Sequence, residues 1–382
     1  MPLLIWIYLL GAHGGFWRVS VSLARSGPEQ GAEHGMELPA SAHVVAVIPA
    51  RDEADVIADT VQSLLNQRGT GTLQVIVVDD ASTDGTADAA REVARALGCA
   101  DRLTVVGGQP LPAGWTGKLW AMSQGVAAAL ERQPDFLLLT DADIHHDPGN
   151  VASLLAIARA VPCDLVSFMV RLSVGTPAEK ALIPAFVYFF FMLYPPRATA
   201  SRRSRTAGAA GGCMLVRPQA LARIGGIASI RSELIDDCAL ALAIKRNGGQ
   251  VRLALTDTAH STRRYGSFAD VGRMISRSAF YQLRHSWALL TGTVVGLAII
   301  FVMPPLLLLS RDPWCRTLGA AAWLLMTVSY LPMVRFYRRS LLWSLALPAM
   351  ATFYAGAMLH SAWRYLTRRG GNWKGRVQDV RH

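Results

Sequence analysis

The sequence predicts an α/β protein: a mostly parallel sheet covered by helices on both faces, with further helices that cross a membrane. Three observations carry that expectation. Between residues 43 and 170, short β-rich runs alternate with helical stretches. Those runs are apolar along their whole length, as strands buried on both faces of a parallel sheet are. Finally, 52% of the 382 residues are hydrophobic and only 17% charged, with the excess mainly in the last hundred or so positions.

The chain opens with MPLLIWIYLLGAHGGFWRV, which has neither a basic n-region nor a small-residue cleavage site. It reads as an uncleaved anchor, residues 1–25, although its apolar part, about 16 residues, is short of the ~20 needed to span. SGPEQGAEHGMELPASA, residues 26–42, is polar and rich in Gly and Pro, so it reads as a linker. Residues 43–287 then form the α/β domain. Its strands are expected at 43–50, 73–80, 102–106, 136–143 and 164–170, and its helices at 54–67, 86–97, 118–132 and 150–160. The stretch ALIPAFVYFFFMLYPP (181–196) is too short to span, and is expected to be an interfacial helix where a lipid enters, or else a buried core helix.

Residues 288–363 carry three spans. ALLTGTVVGLAIIFVMPPLLLLS, from Ala288 to Ser310, has no charge in 23 residues, and 317–334 and 341–363 follow. Residues 364–382 form a basic tail. The net charge of +11 does not point to nucleic acid: Arg197, Arg202, Arg203 and Arg205 follow one apolar segment, and Arg335, Arg338 and Arg339 lie between two spans. Cations so placed suit anionic headgroups. Cys99, Cys163, Cys213, Cys238 and Cys315 are scattered, odd in number and without CxxC spacing, which fits a reduced compartment rather than disulfides or zinc.

The chemistry is expected near FLLLTDADIHHDP (136–148), where an apolar strand runs into Asp141 and Asp143. With 27 acidic residues in the chain, about two pairs at this spacing arise by chance. The context is less random. The expected strand ends carry Arg51-Asp52-Glu53, Asp79-Asp80 and Asp141-x-Asp143, so three strands deliver acid to the edge where open α/β sheets bind ligands. No G-x-G-x-x-G follows the first strand. A P-loop is excluded by Pro112 and Leu119, which stand where it needs Gly and Ser or Thr. In an extended chain, Asp141 and Asp143 point the same way, roughly 6.6 Å apart at Cα. A Mg2+ or Mn2+ ion, taking oxygen ligands at about 2.1 Å, would join such a pair to a diphosphate.

VIPARDEADVI, VVDDASTDGT, TDADIH, GGCMLV and IDDCALA resemble, in this order, the motifs of inverting GT-A glycosyltransferases of family 2. With PLPAGWTGKLWAMSQG and the tail NWKGRV, the chain is similar to the hopene-associated glycosyltransferases of bacterial hopanoid gene clusters, and to carotenoid-type enzymes. The resemblance implies a GT-A fold and one sugar moved from a nucleotide-diphosphate sugar, a UDP-sugar, to a lipid acceptor. Under it, Pro49, Arg51, Glu53, Asp79 and Asp80 line the nucleotide pocket with Lys118 and Asp141. Asp141, Asp143 and His145 hold Mg2+ or Mn2+. Asp237 is the catalytic base, with Asp236 in place of the usual Glu, and Gly211 and Gly212 floor the acceptor side. QLRHSW (282–287) lacks the QxxRW of processive relatives, which favours single transfer. Localisation follows as a multi-pass protein of the bacterial inner membrane with a cytoplasmic catalytic domain.

Plainer alternatives stand beside these roles. Asp79-Asp80, Asp84 and Asp237 are also good helix caps, His145 is also an ordinary loop histidine, and Lys118 also sits near a helix start. His260, Arg263 and Arg264 either neutralise a leaving diphosphate or form a solvated charge run. A polyprenyl-phosphate acceptor and a nucleotide-binding scaffold without turnover are the competing functions.

Overall fold

A computed structural model describes residues 1–18, 42–367, 372–373 and 376–377. The expected linker, but for Ala42, and most of the basic tail lie outside the described residues. The chain divides into two units. Residues 42–172 and 199–263 belong to an α/β unit, and residues 1–18, 173–198 and 264–367 to a helical unit.

The strands of the main sheet are β1 (Ala42–Ala50), β2 (Gly71–Asp79), β3 (Leu103–Gly107), β4 (Phe136–Leu139), β5 (Ile144–His146), β6 (Leu165–Arg171), β7 (Met214–Val216) and β8 (Val251–Ser261). Helices of eight residues or more are, in chain order, α1 (Pro2–Gly11), α2 (Ile57–Leu65), α3 (Thr86–Ala96), α4 (Gly117–Leu130), α5 (Asn150–Ala160) and α6 (Pro177–Leu193). They continue as α7 (Asp236–Arg246), α8 (Phe268–Ser276), α9 (Trp287–Leu307), α10 (Pro313–Phe336) and α11 (Leu347–Leu366).

The eight strands form one sheet in the order β3-β2-β1-β4-β7-β6-β8-β5. β1 runs parallel to β2 and β4, β2 to β3, and β6 to β8. The short strand β7 is antiparallel to β4 and β6, and β5 is antiparallel to β8. Successive β1 side chains serve opposite faces. Val44, Ala46 and Ile48 pack with Ile57, Val61, Ala90, Ala94, Val151 and Leu154 of α2, α3 and α5. Val45 and Val47 pack with Leu119, Met122, Val126, Leu240 and Ile244 of α4 and α7. Both faces are dry, as continuously apolar strands require. α4 lies so close that a Cβ at Gly125 would meet Val47 Cγ1 at 2.5 Å and Val78 Cγ2 at 2.8 Å.

Most expected boundaries agree within three residues, and α5 agrees at both ends. The fourth strand corrects the expectation of 136–143, because it stops at Leu139. Thr140 keeps one ladder bond, to Val47 O at 3.2 Å, and its hydroxyl then donates to Gly212 O at 2.7 Å as the chain turns. Asp141 and Asp143 are thus not neighbours along an extended strand.

Three helices of the helical unit, Trp287–Leu307, Pro313–Phe336 and Leu341–Leu366, are long and apolar enough to cross a membrane. Trp287, Trp314 and Trp363 stand exposed near their ends, where aromatic belts form. The apolar start of the chain gives only a ten-residue helix, α1, about 15 Å long at 1.5 Å per residue, which is too short to span. Instead α1 completes α9. Pro304 and Pro305 carry no N–H, so the Ile300 carbonyl loses the donors that an α- or π-turn would supply. That stretch of α9, Ala298–Val302, is a π-turn, and buried Trp6 donates its indole N–H to Ile300 O at 2.9 Å. α6, expected at an interface, is largely packed. Leu182, Ile183, Tyr188 and Phe191 are buried, and the Tyr188 hydroxyl pairs with Ser329 Oγ at 2.6 Å.

Trp6→Phe keeps most of the ring volume and removes the donor to Ile300. An orphaned buried carbonyl costs about 1–3 kcal/mol, so the variant should unfold several degrees below the wild type in a detergent-solubilised thermal melt. An unchanged midpoint would show that this bond does not hold α1 to α9.

Candidate active site

β1, β2 and β4 run the same way, with Ala50 opposite Asp79 and Val47 opposite Leu139, so their carboxyl ends share one edge. Pro49 is buried inside β1, opposite Val78. Arg51 turns back over the next strand, donating from Nη1 to Asp80 O at 2.5 Å and lying 3.7 Å from the Asp80 carboxylate. Asp52 adopts a left-handed φ of 49°, a conformation short polar side chains tolerate. Its Oδ1 accepts from Thr83 N at 2.8 Å, while Glu53 N donates to Thr86 Oγ1 at 2.9 Å and Ala54 N to Asp84 Oδ2 at 2.9 Å. The loops after β1 and β2 are therefore tied together. Asp79 Oδ1 accepts from Ser82 N at 3.1 Å, and Asp84 Oδ1 accepts from Thr86 N at 3.1 Å. Asp79 thus closes the turn after β2, and Asp84 meets the first N–H of α3, whose N-cap position is Gly85.

The second part of the site gathers around Gly211. α4 starts at Thr116, whose hydroxyl accepts from Leu119 N, and this points Lys118 at the rim. Lys118 Nζ lies 2.8 Å from Asp141 Oδ1 and 2.9 Å from Asp236 Oδ2. Burial by itself would lower the ammonium pKa, but the two carboxylates outweigh it and hold Lys118 well above the usual range. Asp236 and Asp237 open α7, where the helix dipole favours negative charge. Asp237 Oδ2 accepts from Gly211 N at 2.9 Å and Oδ1 from Cys238 N at 2.7 Å. Burial and then Asp236 push the Asp237 carboxyl up to about 6, against the pull of Lys118 and those two N–H groups. A Cβ at Gly211 would lie 3.4 Å from Lys118 Nζ, 3.5 Å from Asp237 Oδ2 and 3.6 Å from Asp141 Oδ2. At Gly212 it would meet Ile144 Cδ1 at 3.1 Å and Val170 Cγ2 at 3.2 Å.

Asp143 faces elsewhere. Its Oδ2 accepts from Arg263 Nε and from Ser261 Oγ, both at 3.0 Å, and Arg263 Nη2 donates to Glu53 Oε1 at 2.8 Å. Asp143 and Glu53 are each only 8% exposed. His145 Nδ1 lies 3.0 Å from Asp59 Oδ2, and its ring stacks on His260 with centroids 4.8 Å apart. The three expected metal ligands thus have three sets of partners. Among the described residues, no three His, Cys, Asp or Glu side chains are gathered closely enough to hold a metal ion. The physical reason is charge: each carboxylate of the pair takes the nearest cation, Lys118 or Arg263. The donor chemistry still fits Mg2+ or Mn2+, because both side chains offer hard oxygen at positions that already hold positive charge.

Sequence reading did not find the role of β8, whose end carries Ser261 and Arg263 to Asp143, nor Asp59 beside His145. The only signal for the first was SxR at the close of an apolar run. His146 was also passed over, and its role is structural. Thr140 Oγ1 already donates to Gly212 O, so His146 Nε2 donates to Thr140 at 3.0 Å. Asn150 Oδ1 accepts from Thr258 Oγ1 at 2.9 Å, which leaves Asn150 Nδ2 to donate to His146 Nδ1, also at 2.9 Å. A neutral imidazole is required.

The fold is that of a GT-A domain. Residues 45–225 match the family model described as Glycosyl transferase family 2. The match ends before Asp236 and Asp237. No curated protein matches the chain. Among solved structures, the chain is similar to a mannosyltransferase from Pyrobaculum calidifontis in complex with GDP-Man and Mn2+, with 19% identity and a TM-score of 0.51 over 95% of this chain and 99% of that one. It is also similar to mannosyl-3-phosphoglycerate synthase from Rubrobacter xylanophilus, at 21% identity and a TM-score of 0.43 over 72% and 84% of the two chains. A further likeness is to glucosyl-3-phosphoglycerate synthase from Mycobacterium tuberculosis, at 18% identity and a TM-score of 0.40 over 65% and 81%.

Burial holds the pKa of His146 down to about 3, below its ordinary value of 6.5. The unfolded chain therefore binds a proton that the folded chain refuses, and this part of the stability is full above pH 6.5 and lost as pH falls toward 3. The melting temperature of the wild type should drop more between pH 7.5 and pH 5 than that of His146→Gln. Equal drops would contradict the assignment.

Proposed function

We propose that this chain is a membrane-bound inverting glycosyltransferase that moves one sugar from a nucleoside-diphosphate sugar to a lipid acceptor. The observation that carries the reading is the convergence on Gly211, around which a donor-side carboxylate, Asp141, a carboxylate suited to base work, Asp237, and the Lys118 ammonium are gathered. The match to the family 2 model supports the reaction class. The complex of the Pyrobaculum enzyme with GDP-Man and Mn2+ supports a hexose on a nucleoside diphosphate.

In the mechanism, the acceptor hydroxyl approaches the anomeric carbon from the side opposite the diphosphate. Asp237 takes its proton as the new C–O bond forms and the bond to the diphosphate oxygen breaks, so configuration inverts. A carboxyl raised to about 6 is still ionised at neutral pH and is a stronger base than an ordinary aspartate. Gly211 N holds that carboxylate in place, and the absence of a side chain there leaves room for the reacting groups. Arg51, Glu53, Asp79 and Asp80 line the nucleotide side beneath Pro49. Asp141 and Asp143, with His145 nearby in sequence, would hold a Mg2+ or Mn2+ ion, which when bound supplies charge neutralisation to the departing diphosphate.

Three apolar helices support a lipid acceptor and residence in a membrane. The sequence resemblance further supports a hopanoid-related acceptor in a bacterial inner membrane, with the catalytic unit on the cytoplasmic side. Asp237→Asn should lower kcat by about 10²–10⁴-fold while nucleotide binding persists, measured as label passed from donor to lipid by the folded protein. Near-normal transfer would remove Asp237 from the mechanism.

A further inference from the structure

Arg263 is the residue whose surroundings the mechanism leaves unexplained. Its guanidinium joins Asp143 to Glu53, which come from the loops after β4 and β1. The side chain of Arg263 is 40% exposed, while those of its two partners are 11% exposed. The neighbouring backbone is fixed independently. Thr262 N donates to Asp143 O at 2.8 Å, Thr262 Oγ1 donates to the same oxygen at 3.1 Å, and Ser261 Oγ holds Asp143 Oδ2. Asp143 is therefore held in place by bonds other than that to Arg263, whereas the arginine side chain can leave without disturbing β8.

We propose that Arg263 is the resting counter-ion of the donor pocket, occupying Asp143 until a divalent cation arrives with its diphosphate and displaces it. A guanidinium and a divalent cation repel each other at one carboxylate oxygen, so a bare cation meets an occupied, neutralised site. A cation arriving with a diphosphate brings negative charge that the displaced guanidinium can pair with. The pocket then selects the metal–nucleotide complex over free metal, and two buried carboxylates are never left without a cation. This inference rests on the reading of Asp143 as a cation ligand and assigns Arg263 a positioning role on the donor side.

The test uses the full chain in detergent and Mn2+ as the probe, with free Mn2+ followed by its electron paramagnetic resonance signal in the absence of nucleotide. Arg263→Gln should bind Mn2+ about tenfold more tightly than the wild type, because a unit positive charge at contact distance has been removed. Arg263→Lys, which keeps the charge, should stay within about threefold of the wild type. Asp143→Asn placed on Arg263→Gln should abolish the gain. Arg263→Met, which fills similar space, serves as a second neutral variant should the glutamine protein fail to fold. Equal or weaker Mn2+ binding in the neutral variants overturns the counter-ion role alone. Absence of Mn2+ binding in every variant overturns the metal reading with it.

Discussion

A partly buried carboxylate stays ionised only where positive charge or several hydrogen bonds meet it, and the carboxyl edge of this sheet concentrates such groups. Three basic residues answer them. Lys118 spans Asp141 and Asp236, Arg263 spans Asp143 and Glu53, and Arg51 faces Asp80. Each of the first two ties together separate elements of the fold, so the charge pattern is also a mechanical brace. Lys118 joins the start of α4 to the start of α7 and to the turn after β4. Arg263 joins the end of β8 to the loops after β1 and β4. Loss of either cation leaves a pair of like charges with little water to screen them, a deficit that another cation would make good.

Topology decides which residues reach that rim. Parallel strands β1, β2 and β4 bring their following loops to one edge, which accounts for Arg51, Asp79, Asp80 and Asp141. Antiparallel β7 works from the opposite direction. Met214 pairs with Leu139, so the chain enters β7 from the rim, and Gly211 and Gly212 lie where β4 leaves off. β8 arrives beside β5 with Ser261 opposite Ile144, which carries Arg263 to Asp143. The antiparallel strands are thus the means by which late parts of the sequence reach a site founded by early ones.

Much of this was legible in the residues. Runs such as HVVAVIPA and LQVIVVDD are long enough, and apolar enough, to mark buried parallel strands, and the helices between them follow. The acid at three strand ends pointed to the rim. Other features were hidden for physical reasons. β5 and β7 have three residues each, too few to show a period of two. The spacing rule that aligns Asp141 with Asp143 holds only in extended chain, and the turn after Leu139 sends one toward Lys118 and the other toward Arg263. The amino-terminal anchor was overestimated because GAHGG breaks the helix: Gly14 and Gly15 both take a φ of 62°, where glycine is at ease. Neither the pairing of Trp6 with Ile300 nor that of Arg263 with Glu53 leaves a local mark, since each joins residues more than two hundred positions apart.

The most direct measurement is transfer itself. Purified protein would be given labelled GDP-Man or UDP-Glc with a total lipid extract, with Mn2+ or with a chelator, and the organic phase counted. The account predicts label in lipid from at least one such donor, dependent on the added cation and on Asp141. Label that never leaves the aqueous phase with any nucleotide sugar, or transfer that continues undiminished in chelator, would contradict it.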